Sequence, residues 1–531
     1  MQARYATCAL VMVCAALPVE ARWPGDPFEN LAICERGGNQ YNTRVVCASD
    51  GGWFISWEDI AEGRNLYVQR LDAAGNLMWP SCGVLAAKRF GEATQGYDLA
   101  VDAQDCPVLV YQDIRDHRHQ IYVTRLDGDG DHLWPINGIP LTDTTGDDFL
   151  CRPMVAATTD GAYVVGWSRD PDYSTVHLDL HFQRLAPDGS PLWSEVIVWK
   201  DEDGASFWLC DLNASDEGAV IASWVRHYGY AGPRHLWTQK IDPDGTPMWE
   251  AEETRDGHVV VYDGGTLQYG SLPPFATDGM GGAVFSWYRC APGRLQVFAQ
   301  HIRADGSEAF GHDGAAVSSA YRDRCYPAAC YNVATRETFV FWMEQVVGET
   351  IAGVYAQKFD DFGNRQWGDW GREVVPGCPY DYSHLNVCPH GDGAIGSWVE
   401  TTAWKHSYLD ASRLDGEGGF VWDPAIAGVS SICSDKDHPA VAINDYGMTA
   451  IVWTDDRGEG LGDDIYAQNI SADGRCGLRD GDVDGDGGVD VADLMLLLGD
   501  WGCDGFCCPG DLDEDGVTDV ADLLRLLGDW G

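Results

Sequence analysis

Two stretches near the C-terminus carry residues whose type and spacing suit metal chemistry. Asp482, Asp484, Asp486, Asp490 and Asp493 fill the first, third, fifth, ninth and twelfth places of a twelve-residue loop. Asp511, Asp513, Asp515, Asp519 and Asp522 fill the same places in a second loop. The sixth place is Gly487 in one and Gly516 in the other. Ca²⁺ takes six to eight oxygen ligands at about 2.3–2.6 Å, and a short loop must bend sharply to converge them. Glycine allows that bend because it tolerates positive φ. Five carboxylates crowded into one loop repel one another unless a cation lies among them. The spacing therefore predicts two calcium ions, one per loop. Each loop runs into a leucine-rich stretch closed by Gly-Asp-Trp-Gly, so the unit is a loop followed by a helix.

In this duplicated form the tail resembles a type I dockerin, the calcium-loop module that docks onto cohesins. The resemblance covers roughly the last fifty residues. It implies calcium ligation by the ten aspartates just named and a cohesin-like or cell-surface partner. Such modules often carry hydroxyl residues at the tenth and eleventh loop places and a Lys-Arg pair later in the helix. Here those places hold Val491-Ala492 and Val520-Ala521, and the basic pair is missing. Calcium binding carries over well from the resemblance, and cohesin recognition carries over poorly.

A second series of charged residues recurs through the body of the chain. Two places beyond a repeated aromatic stand Asp59, Asp113, Arg169, Arg226, Arg289, Glu344, Glu400 and Asp455. Three consecutive members are basic and the other five acidic. The stretches that follow add His117, His119, His227, Tyr228, Tyr230, Trp404 and His406. One reading pairs each arginine with a carboxylate on an adjacent loop. The other makes Arg169, Arg226 and Arg289 a basic crescent for a ligand with an anionic side, such as a uronate-bearing polysaccharide. Recognisable catalytic motifs are missing: there is no His-Glu-x-x-His, no Gly-x-Ser-x-Gly and no phosphate loop.

These residues hang on a repeat that runs from Thr43 to Gly474. Its anchor aromatic falls at Trp57, Tyr111, Trp167, Trp224, Trp287, Trp342, Trp398 and Trp453, with one longer gap before Trp287. After each anchor comes a second landmark of the form Tyr67-Val-Gln69, which in the seventh copy is Ala411-Ser412. A glycine turn and a third aromatic follow, as in Gly75 to Trp79. Residues alternate with period two, and Asp-Gly and Gly-Asn pairs read as hairpin turns. Each copy thus yields about four short strands, and such a repeat is a propeller blade. The last copy lacks its fourth strand, and Asn30 to Cys34 is otherwise unassigned. The expected fold is all-β: about eight four-stranded blades closed by strands from both ends, followed by a small helical calcium module. A large aromatic in every blade reads as packing, and the repeated glutamine as a partner for neighbouring backbone.

The 531 residues carry a net charge of −48, which argues against nucleic acid as a partner because phosphate binding needs clustered lysine and arginine. Arg4, the apolar run Ala6 to Leu17 and Val19-Glu20-Ala21 read as a secretory signal over residues 1–21. Cys14 suggests a lipoprotein instead, but Met12-Val13 are bulky for that role. No later apolar run has the length of a membrane helix. The divisions are a signal at 1–21, a propeller at 22–475 and a calcium module at 476–531. Export permits disulfides, and the even cysteine sets of body and tail would let each module close its own. The leading expectation is a secreted or cell-surface protein whose propeller binds a polysaccharide or another extracellular partner and whose tail docks it. The alternative is a glycoside hydrolase or polysaccharide lyase with its site on the propeller face.

Overall fold

Strand alternation, eight glycine turns and eight buried aromatics converge on a ring of sheets. The computed structural model describes residues 22–530 except 62, 91–95, 116, 144–147, 172–176, 230–231, 251–253, 256, 292, 403–405, 445–446, 459–461, 479–480, 484–488, 504–509, 511, 513–516 and 529. The signal stretch, Tyr230 and Trp404 therefore lie outside the described residues. Eight antiparallel sheets form a β-propeller. Blade 1 holds Gln40–Cys47, Trp53–Asp59, Asn65–Leu71 and Val84–Ala87, in that order from the axis outward. First strands of successive blades touch one another all the way round, from blade 1 through blade 8 and back to blade 1. They form the inner wall, and in six blades that wall carries a β-bulge.

Blade 8 is shared between the chain ends. Lys436–Ile443, Thr449–Asp455 and Asp464–Ile470 come from the C-terminal side, and Leu31–Cys34 pairs antiparallel as the outer strand with Leu31 opposite Ala467. Closure leaves no unpaired blade edge at the seam. A disulfide from Cys34 to Cys82 ties this strand to blade 1. It is the only bridge among the described body cysteines whose partners are shown; Cys106, Cys151, Cys210, Cys290, Cys325, Cys330, Cys378, Cys388 and Cys433 are thiols. The even count of body cysteines therefore does not translate into a set of pairs. Sheet packing holds most of them apart as small buried apolar residues.

The aromatics divide into two jobs. All eight anchors are buried in the seams between blades. Most stack on the strand-three landmark of their own blade, as Trp57 does on Tyr67 at 6.1 Å between ring centroids. The third aromatic reaches across the seam. Trp79, Trp134, Trp193, Trp249, Trp367 and Trp422 each donate their indole N–H to a carbonyl in the next blade's glycine turn, at 2.8–3.2 Å. Phe310 has no N–H, and there Arg303 donates to the turn carbonyl of Asp361 instead, at 3.0 Å. The last copy has no third aromatic of its own. Trp23, ahead of the first copy, takes that place and donates to Ala73 at 3.0 Å.

The repeated glutamine is a local clamp. Gln69 accepts from the backbone N–H of Arg70 and of Trp79 and donates to the Pro80 carbonyl at 3.0 Å. It fixes the chain where strand three turns toward strand four. In blade 4 a hairpin at Thr254–Arg255 pairs with His258–Tyr262 and makes a five-stranded sheet. That hairpin and the long connection after it account for the wider gap before Trp287.

Two short helices end the chain, α1 at Val491–Gly499 and α2 at Val520–Gly528. They pack through Leu497 and Leu526 around a small core of their own with Val489. Among the described residues, no helix is long and apolar enough to cross a membrane.

Candidate functional site

Every blade ends its second strand on the same face, and the eight charged residues two places beyond the anchors stand there. The structure resolves most of these two signs into a recurrent couple of one guanidinium and one carboxylate. At four of the five acids an arginine comes from nearby: Arg36 for Asp59, Arg115 for Asp113 at 2.6 Å, Arg324 for Glu344 at 2.8 Å, Arg457 for Asp455. At two of the three arginines the acid comes from the connection between blades. Arg169 meets Asp148 at 3.1 Å, and Arg226 meets Asp201. The guanidinium lies over the landmark ring in several blades, as Arg115 over Tyr122 at 3.7 Å.

The predicted crescent is thus divided. Arg226 is buried between Asp201 and the Tyr228 hydroxyl, which it reaches at 2.6 Å. Burial works to raise the Asp201 pKa, but the Arg226 hydrogen bond and the Ala205 N–H outweigh it and hold the carboxyl below its usual range. Removing one member of such a pair leaves a buried charge uncompensated. Arg169 is partly exposed and borders a cavity of about 230 Å³ with Trp167 and His181, whose pKa burial lowers to about 4. Arg289 is half-buried and bonds to neutral groups: the Tyr262 hydroxyl, the Gly264 carbonyl and Gln296. Glu400 accepts from the Tyr382 hydroxyl at 3.1 Å, and burial raises its pKa.

A larger cavity of about 410 Å³ opens between blades 4 and 5, beside His227 at the end of a second strand. Four side chains give it character. Trp208 stands on the inner strand of blade 4, His227 and Arg234 flank the next hairpin, and Tyr269 comes from the long connection to blade 5. Trp208 and His227 lie 6.0 Å apart at 35° between planes, and the Arg234 guanidinium lies 5.5 Å from the Tyr269 ring centre. Its Nε donates to the Leu267 carbonyl at 3.0 Å, which orients the fork. His227 Nδ1 lies 3.3 Å from the Gly229 carbonyl, an oxygen that only accepts. The proton therefore sits on Nδ1, and Nε2 keeps its lone pair. Burial, with Arg234, lowers the His227 pKa against the pull of that carbonyl, so the ring is neutral at neutral pH. Of these four, only His227 stands out in the amino-acid sequence. Trp208 and Tyr269 belong to no repeated position, and the longer gap before Trp287 is the one feature of the sequence that marks their blade.

In the tail, Asp482, Asp490, Asp493, Asp519 and Asp522 are among the described residues; Asp484, Asp486, Asp511, Asp513 and Asp515 lie outside them. The twelfth-place carboxylates are buried and organise their loops. Asp493 accepts from the Val483 and Asp490 N–H groups at 2.7 Å, and Asp522 from Leu512 at 2.6 Å and Asp519 at 2.7 Å. Asp482, the first residue of the first loop, is buried, while Asp490 caps α1. Among the described residues each loop buries its twelfth-place carboxylate, the first loop also buries Asp482, and Asp490 and Asp519 are exposed.

No family model matches the chain, and no curated protein is similar to it. Several solved structures share its outline at low identity. A protein of unknown function from Dyadobacter fermentans DSM 18053 is 11% identical, covering 60% of this chain and 93% of its own, with a TM-score of 0.36. An ulvan lyase of polysaccharide lyase family PL25, bound to -[GlcA(1-4)Rha3S]-, is 12% identical over 75% of this chain and 97% of its own, with a TM-score of 0.45. A GH93 α-L-arabinofuranosidase of Fusarium graminearum in complex with arabinobiose is 10% identical over 83% and 96%, with a TM-score of 0.35. At these scores the likeness assigns no residue of this chain a role.

Proposed function

We propose that the propeller is a polysaccharide-recognition ring, with its site in the cavity between blades 4 and 5. The observation that carries this reading is the joint presence there of Trp208, His227, Arg234 and Tyr269. Indole and phenol rings give flat apolar faces for the C–H faces of sugars, and an arginine fork matches a carboxylate or sulfate. An acidic polysaccharide fits all four. The test is affinity electrophoresis of the full chain in gels containing a polyuronate or a neutral glucan. Retardation is expected in the polyuronate, weakened by salt and lost in Trp208→Ala and Arg234→Ala with unchanged melting temperature. Equal mobility in both gels, or variants that migrate like the parent, overturns the reading.

A second reading follows from the His227 tautomer. A neutral imidazole with a free Nε2 lone pair is the kind of base a β-elimination needs. His227 would take the proton from C5 of a uronate, Arg234 would neutralise the adjacent carboxylate, and the Tyr269 hydroxyl would protonate the departing O4 as the C4–C5 double bond forms. Ultraviolet absorbance of that double bond separates a lyase from a binding ring.

The tail is read as a calcium-dependent tether. Bound calcium supplies positive charge that lets the loop carboxylates converge, held by Asp482, Asp490 and Asp493 in one loop and Asp519 and Asp522 in the other, with the loop aspartates outside the described residues completing each set. The helices leave matching apolar stripes exposed, Val491, Met495 and Leu498 on α1 and Val520, Leu524 and Leu527 on α2. A cohesin-like protein with an apolar face is the partner this stripe suits. In this reading the protein is secreted and works at or outside the cell surface.

A further inference from the structure

The outer seam between blades 4 and 5 holds a group of side chains that neither the repeat nor the cavity explains. Asp263 follows the outer strand of blade 4, and His312 and Asp313 precede the outer strand of blade 5. One ligand atom from each lies within 4.8 Å of the others.

The hydrogen bonding of His312 makes this more than three neighbours. Glu308, whose side chain is 6% exposed, receives His312 Nδ1 at 3.1 Å. A carboxylate only accepts, so Nδ1 carries the proton. Nε2 then faces Asp263 Oδ1 at 3.4 Å. That 3.4 Å is well beyond the roughly 2.7–2.9 Å of a charge-assisted hydrogen bond. A histidine that gives one nitrogen to a carboxylate and turns the other toward further carboxylates has the arrangement common at metal centres.

Charge balance points the same way. Some exposed carboxylates of this ring meet a guanidinium or ammonium group, as Asp160 meets Arg184 and Asp216 meets Lys240. Among the described residues, no lysine or arginine lies within ion-pair distance of Asp263 or Asp313. Asp313 Oδ1 instead accepts the N–H groups of Asp263 and Gly264, at 2.9 and 2.7 Å. That fixes the carboxylate and joins blade 5 to the start of the connection that carries Tyr269.

We propose that Asp263, His312 and Asp313 form a site for a divalent transition ion of the Zn²⁺ class, with Glu308 orienting His312, at the seam between blades 4 and 5. One imidazole nitrogen and two carboxylate oxygens suit Zn²⁺, and the exposed side of the group leaves room for water as the fourth ligand. The ion would pin the head of the connection that lines the cavity.

The test uses the full chain with saturating Ca²⁺, so that the tail loops are filled, and titrates Zn²⁺ by calorimetry and Co²⁺ by visible absorption. One equivalent is expected to be lost in His312→Ala and in Asp313→Asn, with the Co²⁺ ligand-field bands of a nitrogen–oxygen site disappearing alongside. Glu308→Gln should weaken that equivalent by about 10- to 100-fold. Asp437→Asn, beside the His384 and His438 pair on the inner wall, should leave it unchanged. His312 is half exposed, so its substitution should fold normally. No binding by the parent, or the same stoichiometry in His312→Ala, overturns the proposal and leaves His312 as an imidazolium between acids.

Discussion

Removing Trp23 tests how the ring closes. Its side chain is 3% exposed, stands edge-on to Trp53 at 5.5 Å between centroids, and donates to the Ala73 carbonyl. Truncating a buried tryptophan to alanine costs about 3–5 kcal/mol, from lost transfer energy plus the cavity left behind. If Trp23 is the missing third aromatic of blade 8, Trp23→Ala should cost as much as Trp249→Ala, which breaks the equivalent stitch between blades 4 and 5. Gly75 gives an independent handle on the same contact. Its φ is +87°, and an added Cβ would lie 2.8 Å from Trp23 Cγ. Gly161, at φ +84°, has nothing within 4 Å of the same added atom. Gly161→Ala therefore measures left-handed strain alone, about 1–2 kcal/mol. Gly75→Ala should exceed it by the clash. The assay is denaturant unfolding followed by hydrogen exchange at Leu31–Cys34, where protection should fall most in Trp23→Ala. A Trp23→Ala cost under about 1 kcal/mol, or equal costs for Gly75→Ala and Gly161→Ala, would refute the assignment of this residue to the ring seam.

Two further expectations concern the tail and blade 7. Adding Ca²⁺ to chelated protein should increase α-helix and protect the α1 and α2 amides, and Asp493→Ala and Asp522→Ala should each remove about one calcium ion; helicity and stoichiometry indifferent to Ca²⁺ would remove the metal from the account. Blade 7 puts Asp410 opposite Trp398 where blade 1 puts Tyr67 opposite Trp57, and burial, reinforced by Glu400, raises the Asp410 pKa to about 7. An acid whose folded pKa lies above its unfolded value stabilises the fold fully below about pH 4, and this is lost as pH rises through about 7. Asp201 and Asp102, held low, act in the opposite sense at lower pH, so the parent-minus-variant difference is the quantity to read. Asp410→Asn should melt higher than the parent at pH 8 and show a flatter decline from pH 5 to 8; identical slopes would mean that Asp410 titrates alike in both states.

The amino-acid sequence by itself determined the ring. Period-two alternation and a regular aromatic dictate repeated sheets, because each blade must bury the same two faces against its neighbours. The same logic placed Asn30 to Cys34 in blade 8, since a sheet short of a strand leaves an edge that only the other chain end can fill. It did not reveal Trp23, whose role depends on a turn carbonyl fifty residues away in the chain. The charged series shows the limit most clearly. Arg169, Arg226 and Arg289 share one register, yet Asp148 and Asp201 from the inter-blade connections neutralise two of them, and the third bonds to neutral groups. Connections do not repeat, so periodicity carries no information about what they bring to the rim. Trp208, Arg234 and Tyr269 meet for the same reason, as do Asp263, His312 and Asp313. Local interactions along a strand are written in its own residues, whereas a site between blades depends on how two separately encoded loops are brought together, and only the closed ring decides that.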